Sequence, residues 1–111
     1  DGYAAAKRLL EQPVTAIFAM SDLMAVGAIR AILDHGLRVP QDIAVAGYDG
    51  IYLSQTMSPR LTTYRQDTEA LGRAAAELLI EQIESPRTAL PEQKLISGSL
   101  LKGQSVDVPN P

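Results

Sequence analysis

Three polar side chains stand just after short apolar runs that have the composition of buried strands: Asp22, Asp49 and Gln66. The carboxyl ends of parallel strands meet at one edge of an open α/β sheet, and ligands bind at that edge. Carboxylate oxygens accept hydrogen bonds from hydroxyl groups, and an amide can both donate and accept them. We therefore expect a neutral hydroxylated ligand such as a sugar, with Asp49 as its main contact.

Each of these residues also has a structural alternative. Asp22 precedes a helical pattern, so either Asp22 or Ser21 is suited to cap that helix. Asp49 and Gly50 can simply form a turn. Tyrosine rings such as that of Tyr48 pack more often than they bind ligands, but Tyr48 adjoins Asp49 and stays among the candidate ligand contacts.

No catalytic or metal-binding motif accompanies these residues. A pair of acids can hydrolyse a glycoside or hold Mg²⁺, yet the only further acid after a predicted strand is Asp67, which is placed to cap the next helix. The sequence contains no nucleophile elbow, phosphate loop, dinucleotide fingerprint or metal-spaced histidine pair, since His35 stands alone. We therefore predict a binding protein and not an enzyme, with no cofactor and no metal.

The order of predicted elements is typical of a parallel α/β fold. Alanine-rich or apolar-periodic segments predict helices at 3–10, 23–34 and 68–84. Short apolar runs predict strands at 15–20, 43–46, 61–64, 93–96 and 99–102. The run 43–46 has the composition of a strand buried on both faces. Segment 51–59 is expected to be irregular, and the tail from Ser105 onward to be frayed.

The second predicted helix is apolar around most of its circumference. Arg30 is the only charged residue between positions 23 and 33, whereas a helix that covers a sheet needs one apolar stripe. We interpret the excess as a second buried face, formed by contact with a second subunit; burial inside the chain itself is the alternative. The predicted interface residues on this helix are Met24, Ala25, Ala28, Ile29 and Ile32.

Length and charge limit the class of protein. The 111 residues suffice for one domain, and the apolar content of 46% is ordinary for a globular protein. The net charge of −3 and the scattered ten Lys and Arg give no basic stripe for nucleic acid. The sequence has no cysteine, no apolar run of about 18 residues and no recognisable signal peptide. It also begins without Met, so a longer parent protein is expected.

Several spaced motifs, taken together and in order, resemble the lactose-repressor (LacI/GalR) family over nearly the whole chain. They are the stretch Phe18-Ala19-Met20-Ser21-Asp22, then Met24-Ala25-Val26-Gly27-Ala28, then Gly36-Leu37-Arg38-Val39-Pro40-Gln41-Asp42, then Gly47-Tyr48-Asp49, and finally Pro59-Arg60-Leu61-Thr62-Thr63 with Gln66-Asp67 and Leu71-Gly72. The match implies the C-terminal portion of an effector-binding domain. The implied fold is a parallel-sheet αβα sandwich, like that of type I periplasmic sugar-binding proteins, present here as a partial domain.

The resemblance also implies roles for individual residues. The Asp of the Gly-Tyr-Asp motif contacts effector in the family, which assigns that role to Asp49, and Gln66 lies at the cleft in some members. Ser21 stands where the family often has Asn, so its contact and the identity of the effector stay open. The family dimerises through the helix 23–33 and the loop after Asp49, which adds Leu53 to the predicted interface.

The implied protein is a cytoplasmic transcription regulator that forms a homodimer and binds a sugar or sugar-like effector. Operator DNA is contacted only through an N-terminal helix-turn-helix domain that this sequence does not contain, and no membrane is involved. The alternative is a periplasmic-type sugar-binding protein of a transport system, which has the same fold without DNA-binding heads.

Overall fold

The computed structural model describes residues 1–86, 88 and 91–107. Residues 1–65 with 100–107 belong to one unit, and residues 66–99 belong to a second. The elements along the chain are α1 (Gly2–Leu9), β1 (Ala16–Phe18), α2 (Asp22–Asp34), β2 (Ala44–Asp49), α3 (Tyr52–Thr56), β3 (Thr62–Arg65), α4 (Thr68–Glu84) and β4 (Ser99–Leu101).

The four strands form one sheet in the order β1-β2-β3-β4. Strand β2 pairs in parallel with both β1 and β3, which confirms the predicted α/β class and its parallel core. The register between β2 and β3 pairs Tyr48 with Tyr64 and Asp49 with Arg65. Both pairs therefore lie at the carboxyl ends of their strands, where the ligand edge is expected.

Short polar side chains cap the amino ends of the three longer helices, and two of these caps, Ser21 and Asp67, are among those that the sequence predicts. Asp1 accepts a hydrogen bond from the amide of Ala4 at α1, and Ser21 accepts one from Met24 at α2. Asp67 does the same for α4 by accepting from Ala70. Gly36 follows the last turn of α2 with φ +80°, a conformation that costs glycine little. Short polar side chains at these positions satisfy amides that the helix itself leaves without acceptors.

Helix α2 is buried by its own chain, because it packs on β2 and α1 packs on α2. The core comprises Ala6, Ile17, Ala19, Ala25, Ala28, Ile29, Ala31, Ile32, Val39, Ile43, Val45 and Leu61. Four of the six predicted interface residues thus belong to the core: Ala25, Ala28, Ile29 and Ile32. Their assignment to a contact with a second subunit is wrong, because side chains this deeply buried within the chain have almost no accessible surface left for another subunit to contact. Met24 and Leu53 remain exposed.

Strand β2 is buried on one face only, which corrects the prediction of burial on both. Val45 and Gly47 point toward α2 and are buried, whereas Ala44 and Ala46 are half-buried. On the same face as Ala46, Phe18 of β1 is 67% exposed. The described helices of this unit that pack on the sheet therefore cover a single face.

Three local predictions fail. Segment 51–59 is not wholly irregular, since it contains α3; this helix has only five residues, too few to show a helical period in sequence. Residues 93–96 form no strand, and Leu95 is 89% exposed, so no strand among the described residues stabilises that run. Ser105 is not frayed but fully buried, and it hydrogen-bonds to β2 and β3.

An ion pair closes the turn that leads into β2. The Arg38 guanidinium donates from Nε and Nη2 to the two carboxylate oxygens of Asp42, at 2.9 and 3.0 Å. The backbone amide of Arg38 donates to the same carboxylate. Hydrogen bonds from the side chain and then the backbone of Arg38 lower the pKa of Asp42 from 3.8 to about 2. Asp42 therefore stays ionised near neutral pH and keeps the start of β2 in place.

The second unit contains α4, none of whose residues is buried in the described chain. On its surface, Arg73 forms an i,i+4 ion pair with Glu69 at 2.9 Å. Apolar side chains such as Leu79 and Ile83 are exposed along this helix. Among the described residues, no helix combines the length and the apolar character needed to span a membrane.

Two helical glycines are expected to respond oppositely to alanine. A Cβ on Gly27 of α2 would lie 2.7 Å from the backbone nitrogen of Tyr3, whereas Gly72 of α4 has nothing within 4 Å. Alanine is favoured over glycine in a helix by about 1 kcal/mol, but overpacking against backbone costs about 1–3 kcal/mol. Gly27→Ala should therefore lower the midpoint of urea unfolding, and Gly72→Ala should raise it or leave it unchanged. Equal stabilisation by both changes would contradict the close approach of α1 to α2.

Candidate functional site

Asp49 ends β2 in an unusual backbone conformation. Its φ is +122° and that of Gly50 is +74°, so two consecutive residues leave the sheet with positive φ. For Asp49 such a conformation is costly, and it persists only where the surroundings enforce it. Asp49 is half-buried, so part of its surface is open to solvent at the edge of the sheet. The geometry is that expected of a ligand contact, and the role itself stays a prediction.

Gly50 is confined by its neighbour on β3. A Cβ at Gly50 would lie 2.4 Å from the Cβ of Arg65, so any larger residue must move the turn. Glycine is thus required at this position for both space and backbone conformation. The contact with Arg65 consequently restricts the backbone conformation of the turn that contains Asp49.

Tyr48 and Tyr64 stack across β2 and β3. Their ring centroids are 5.6 Å apart and the rings are inclined by 16°. An offset stack of this kind stabilises the strand pair. Tyr48 is 36% exposed, so one part of its ring packs and another faces solvent. Its prediction as an effector contact remains untested, while the packing alternative has direct support from the stack.

Asp22 is not a surface ligand contact. Its side chain is 0% exposed. One carboxylate oxygen accepts from the Thr63 hydroxyl at 2.6 Å, and the other accepts from the backbone amide of Ile51 at 2.9 Å. Both oxygens are thus engaged within the protein, which corrects the prediction of effector contact. Asp22 is also not the N-cap of α2, because Ser21 has that role.

Gly47 makes the burial of Asp22 possible. An added Cβ at Gly47 would lie 2.5 Å from Oδ1 of Asp22 and 2.8 Å from a methyl carbon of Leu61. No positive φ is involved at this position, in contrast to Gly50. The first glycine of the Gly-Tyr-Asp motif therefore serves to leave room, and the glycine after the motif serves to turn the chain.

The remaining predicted effector contacts lie at element boundaries. Ser21 is half-buried, and its hydroxyl oxygen accepts from the amide of Met24 at 3.3 Å. Gln66 follows the last residue of β3 and belongs to the second unit, which begins there. The structure brings Tyr48, Asp49 and Ser21 to the unit that contains the sheet. For Gln66 it settles only the position after β3, and its role in binding stays a prediction.

Two residues that the sequence did not indicate also lie at the carboxyl ends of strands. Arg65 ends β3 directly beside Asp49 in the register, and Phe18 ends β1 with its ring exposed. A guanidinium donates hydrogen bonds to hydroxyl oxygens, and an aromatic face can cover the apolar face of a sugar ring. The sequence did not indicate Arg65, because its proximity to Asp49 depends on the register of the two strands. It did not indicate Phe18, because the apolar segment 15–20 has the composition of a fully buried strand.

The described residues contain no group of His, Asp and Glu side chains that is able to hold a metal ion. The available groups at the strand ends are a carboxylate, a guanidinium, hydroxyls and aromatic rings. Such groups suit the recognition of a polar small molecule by hydrogen bonds.

The model of the family described as periplasmic binding protein-like domain matches residues 1–106. The HTH-type transcriptional repressor PurR of Haemophilus influenzae (strain PittEE) is 47% identical over 85 residues, which cover 75% of this chain and 25% of that protein. The chain therefore spans about a quarter of the length of the curated relatives that it matches.

Two solved structures show the same fold at substantial identity. The transcriptional regulator CelR in complex with cellobiose is 38% identical, with a TM-score of 0.87 over 94% of this chain and 32% of that one. The Lac repressor dimer bound to operator and the anti-inducer ONPF is 36% identical, with a TM-score of 0.83 over 95% of this chain and 37% of that one. The chain thus belongs to the periplasmic binding protein-like domain family, in the form found in the effector-binding domains of LacI/GalR regulators.

Proposed function

We propose that this chain is the ligand-sensing part of a LacI-type transcriptional regulator of the cytoplasm. It binds a small sugar-like effector and pairs with a second copy. These two events control the binding of operator DNA by a helix-turn-helix domain elsewhere in the protein. The role is binding and not catalysis.

The observation that carries this proposal is the position of Asp49. It stands at the carboxyl end of the central parallel strand β2, in a turn of positive φ, with Arg65 beside it on β3. A carboxylate and a guanidinium on neighbouring strand ends offer both acceptors and donors to a polyol. The CelR complex with cellobiose supports a sugar as the class of effector.

Dimerisation is proposed for the outer surface of α2, defined here by Leu23, Val26, Arg30 and Leu33. Leu23 and Leu33 are exposed although apolar, and Tyr52 and Leu53 of the adjoining α3 are exposed as well. Apolar side chains grouped on one side of a helix pair favour a protein contact. The Lac repressor, which shares this fold, is a dimer on its operator.

A ligand changes DNA binding only through its different affinities for two states of the protein. The proposed regulator therefore needs an effector that binds one arrangement of the dimer better than the other. A sugar-binding protein of a transport system is the rival function, since the family description includes periplasmic binding proteins. The rival binds sugar without any response in DNA binding.

Calorimetric titration of the intact protein with cellobiose, lactose, ribose and glucose tests the proposal. We expect one of these sugars to bind, and Asp49→Asn to weaken that binding by about 10- to 100-fold, because a hydrogen bond to a charged group contributes about 1.5–3 kcal/mol. Asp107→Asn, an exposed aspartate near the end of the described chain, is the matched control and should bind as the unsubstituted protein does. Equal affinity in both variants would refute the role of Asp49.

A further inference from the structure

The buried carboxylate of Asp22 connects three elements. Asp22 is the first residue of α2, its Oδ1 accepts from Thr63 on β3, and its Oδ2 accepts from the amide of Ile51. Residue Ile51 stands two positions after Asp49, at the exit of the turn that leaves β2. A hydrogen bond at such a part-buried site is costly to break, because water does not freely replace the lost acceptor. The bond to Ile51 therefore holds the exit of this turn firmly.

The turn requires such a stabilising contact because the backbone conformation of Asp49 is one that a non-glycine residue disfavours. Asp49 has φ +122°, and Gly50 has φ +74° and lies against Arg65. A non-glycine residue in this region is retained only when neighbouring contacts determine it. The amide of Ile51 is the next hydrogen-bond donor along the chain after Gly50, and it points to Asp22.

We propose that Asp22 is a positioning residue for effector binding: through the amide of Ile51 it fixes the turn that presents Asp49 to the ligand. This inference rests on the proposed function, in which Asp49 contacts the effector. Asp22 itself does not touch the ligand, because its side chain has no exposed surface. Gly47 contributes by leaving the space that the carboxylate occupies.

The two hydrogen bonds of the carboxylate give a matched pair of variants. Asp22→Ala removes the acceptor of the Ile51 amide, whereas Thr63→Val removes the other bond and leaves the acceptor for Ile51 in place. Both changes disturb the same buried group, so a merely structural role predicts similar effects. Asp22→Asn keeps one oxygen that can accept from Ile51 while its amide nitrogen donates to the Thr63 hydroxyl, and it should give partial rescue.

The experiment measures hydrogen–deuterium exchange of the Ile51 amide and affinity for cellobiose, lactose, ribose and glucose in the intact protein. We expect Asp22→Ala to speed exchange and to weaken sugar binding, each by about tenfold, which corresponds to the loss of one hydrogen bond. Thr63→Val should stay within about twofold of the unsubstituted protein in both measurements, and Asp22→Asn should lie between the two. In an Asp49→Asn background, Asp22→Ala should weaken binding no further, because its effect runs through Asp49.

Several results would overturn the inference. They are unchanged exchange at Ile51 in Asp22→Ala, equal effects of Asp22→Ala and Thr63→Val, or an undiminished effect of Asp22→Ala on affinity when Asp49 is already Asn. If the unsubstituted protein binds none of the four sugars, the proposed sugar effector fails. The exchange measurement then still decides whether Asp22 holds the turn, so the two failures are distinguishable.

Discussion

Ile32→Ala is expected to lower the free energy of unfolding by about 2–5 kcal/mol, the range for truncating a buried isoleucine or leucine. Ile32 is 0% exposed and lies on the side of α2 that faces the core. The loss combines the removed apolar contacts with the cavity that remains, because a packed interior relaxes only partly. Urea unfolding of the intact protein, at one fixed protein concentration, measures the change.

The neighbouring Leu33→Ala is the matched control. Leu33 is 47% exposed on the outer surface of α2, so its truncation should cost about 1 kcal/mol or less in stability. Sedimentation equilibrium should instead show a weaker dimer for Leu33→Ala and an unchanged dimer constant for Ile32→Ala. A stable Ile32→Ala protein with a weakened dimer would restore the original assignment of Ile32 to the subunit interface.

Ser105→Ala is expected to destabilise the protein by about 2–4 kcal/mol, because it leaves two polar backbone groups without their hydrogen bonds. The Ser105 hydroxyl donates to the carbonyl oxygen of Val45 at 2.5 Å and accepts from the amide of Thr62 at 2.8 Å. The side chain is fully buried, so water does not replace these bonds. The backbone carbonyl of Ser105, which accepts from Val45, is retained in the variant.

Ser99→Ala provides the comparison for this prediction. Ser99 begins β4 with its side chain exposed, so its truncation should change the unfolding free energy by less than about 0.5 kcal/mol. Chemical unfolding of the two variants under identical conditions gives the difference. If Ser105→Ala and Ser99→Ala are equally stable, the hydrogen bonds of the Ser105 hydroxyl to β2 and β3 do not stabilise the protein as described.

Features that depend on neighbours in sequence could be predicted from the chain alone. Caps at Asp1, Ser21 and Asp67 and the glycine at position 36 follow from side chains that act on amides three residues away or on their own backbone. The parallel pairing of β1, β2 and β3 follows from the alternation of apolar runs with helical segments, whereas the order of the strands in the sheet was not predicted. The ordered motifs additionally indicated the family.

Features that depend on distant contacts could not be predicted. Asp22 follows a predicted strand just as Asp49 does, yet its hydrogen bonds go to residues 29 and 41 positions away, which bury it. The same limit applies to Ser105, whose hydroxyl reaches Val45 across 60 positions. The apolar circumference of α2 has two explanations in sequence. The packing of α2 against both α1 and β2 shows that Ile29 and Ile32 are buried within the chain.

Strand β1 is an outer strand of the described sheet, with β2 as its one neighbour in the strand order. Its residues, Ala16–Phe18, include none of the charged side chains or prolines with which natural sheets discourage unwanted pairing. Phe18 at the end of this strand and Met20 just after it have exposed apolar side chains. An uncovered edge strand of this kind can pair with a strand of another molecule and so promote aggregation. Ala16→Lys would be the simplest substitution to discourage such pairing.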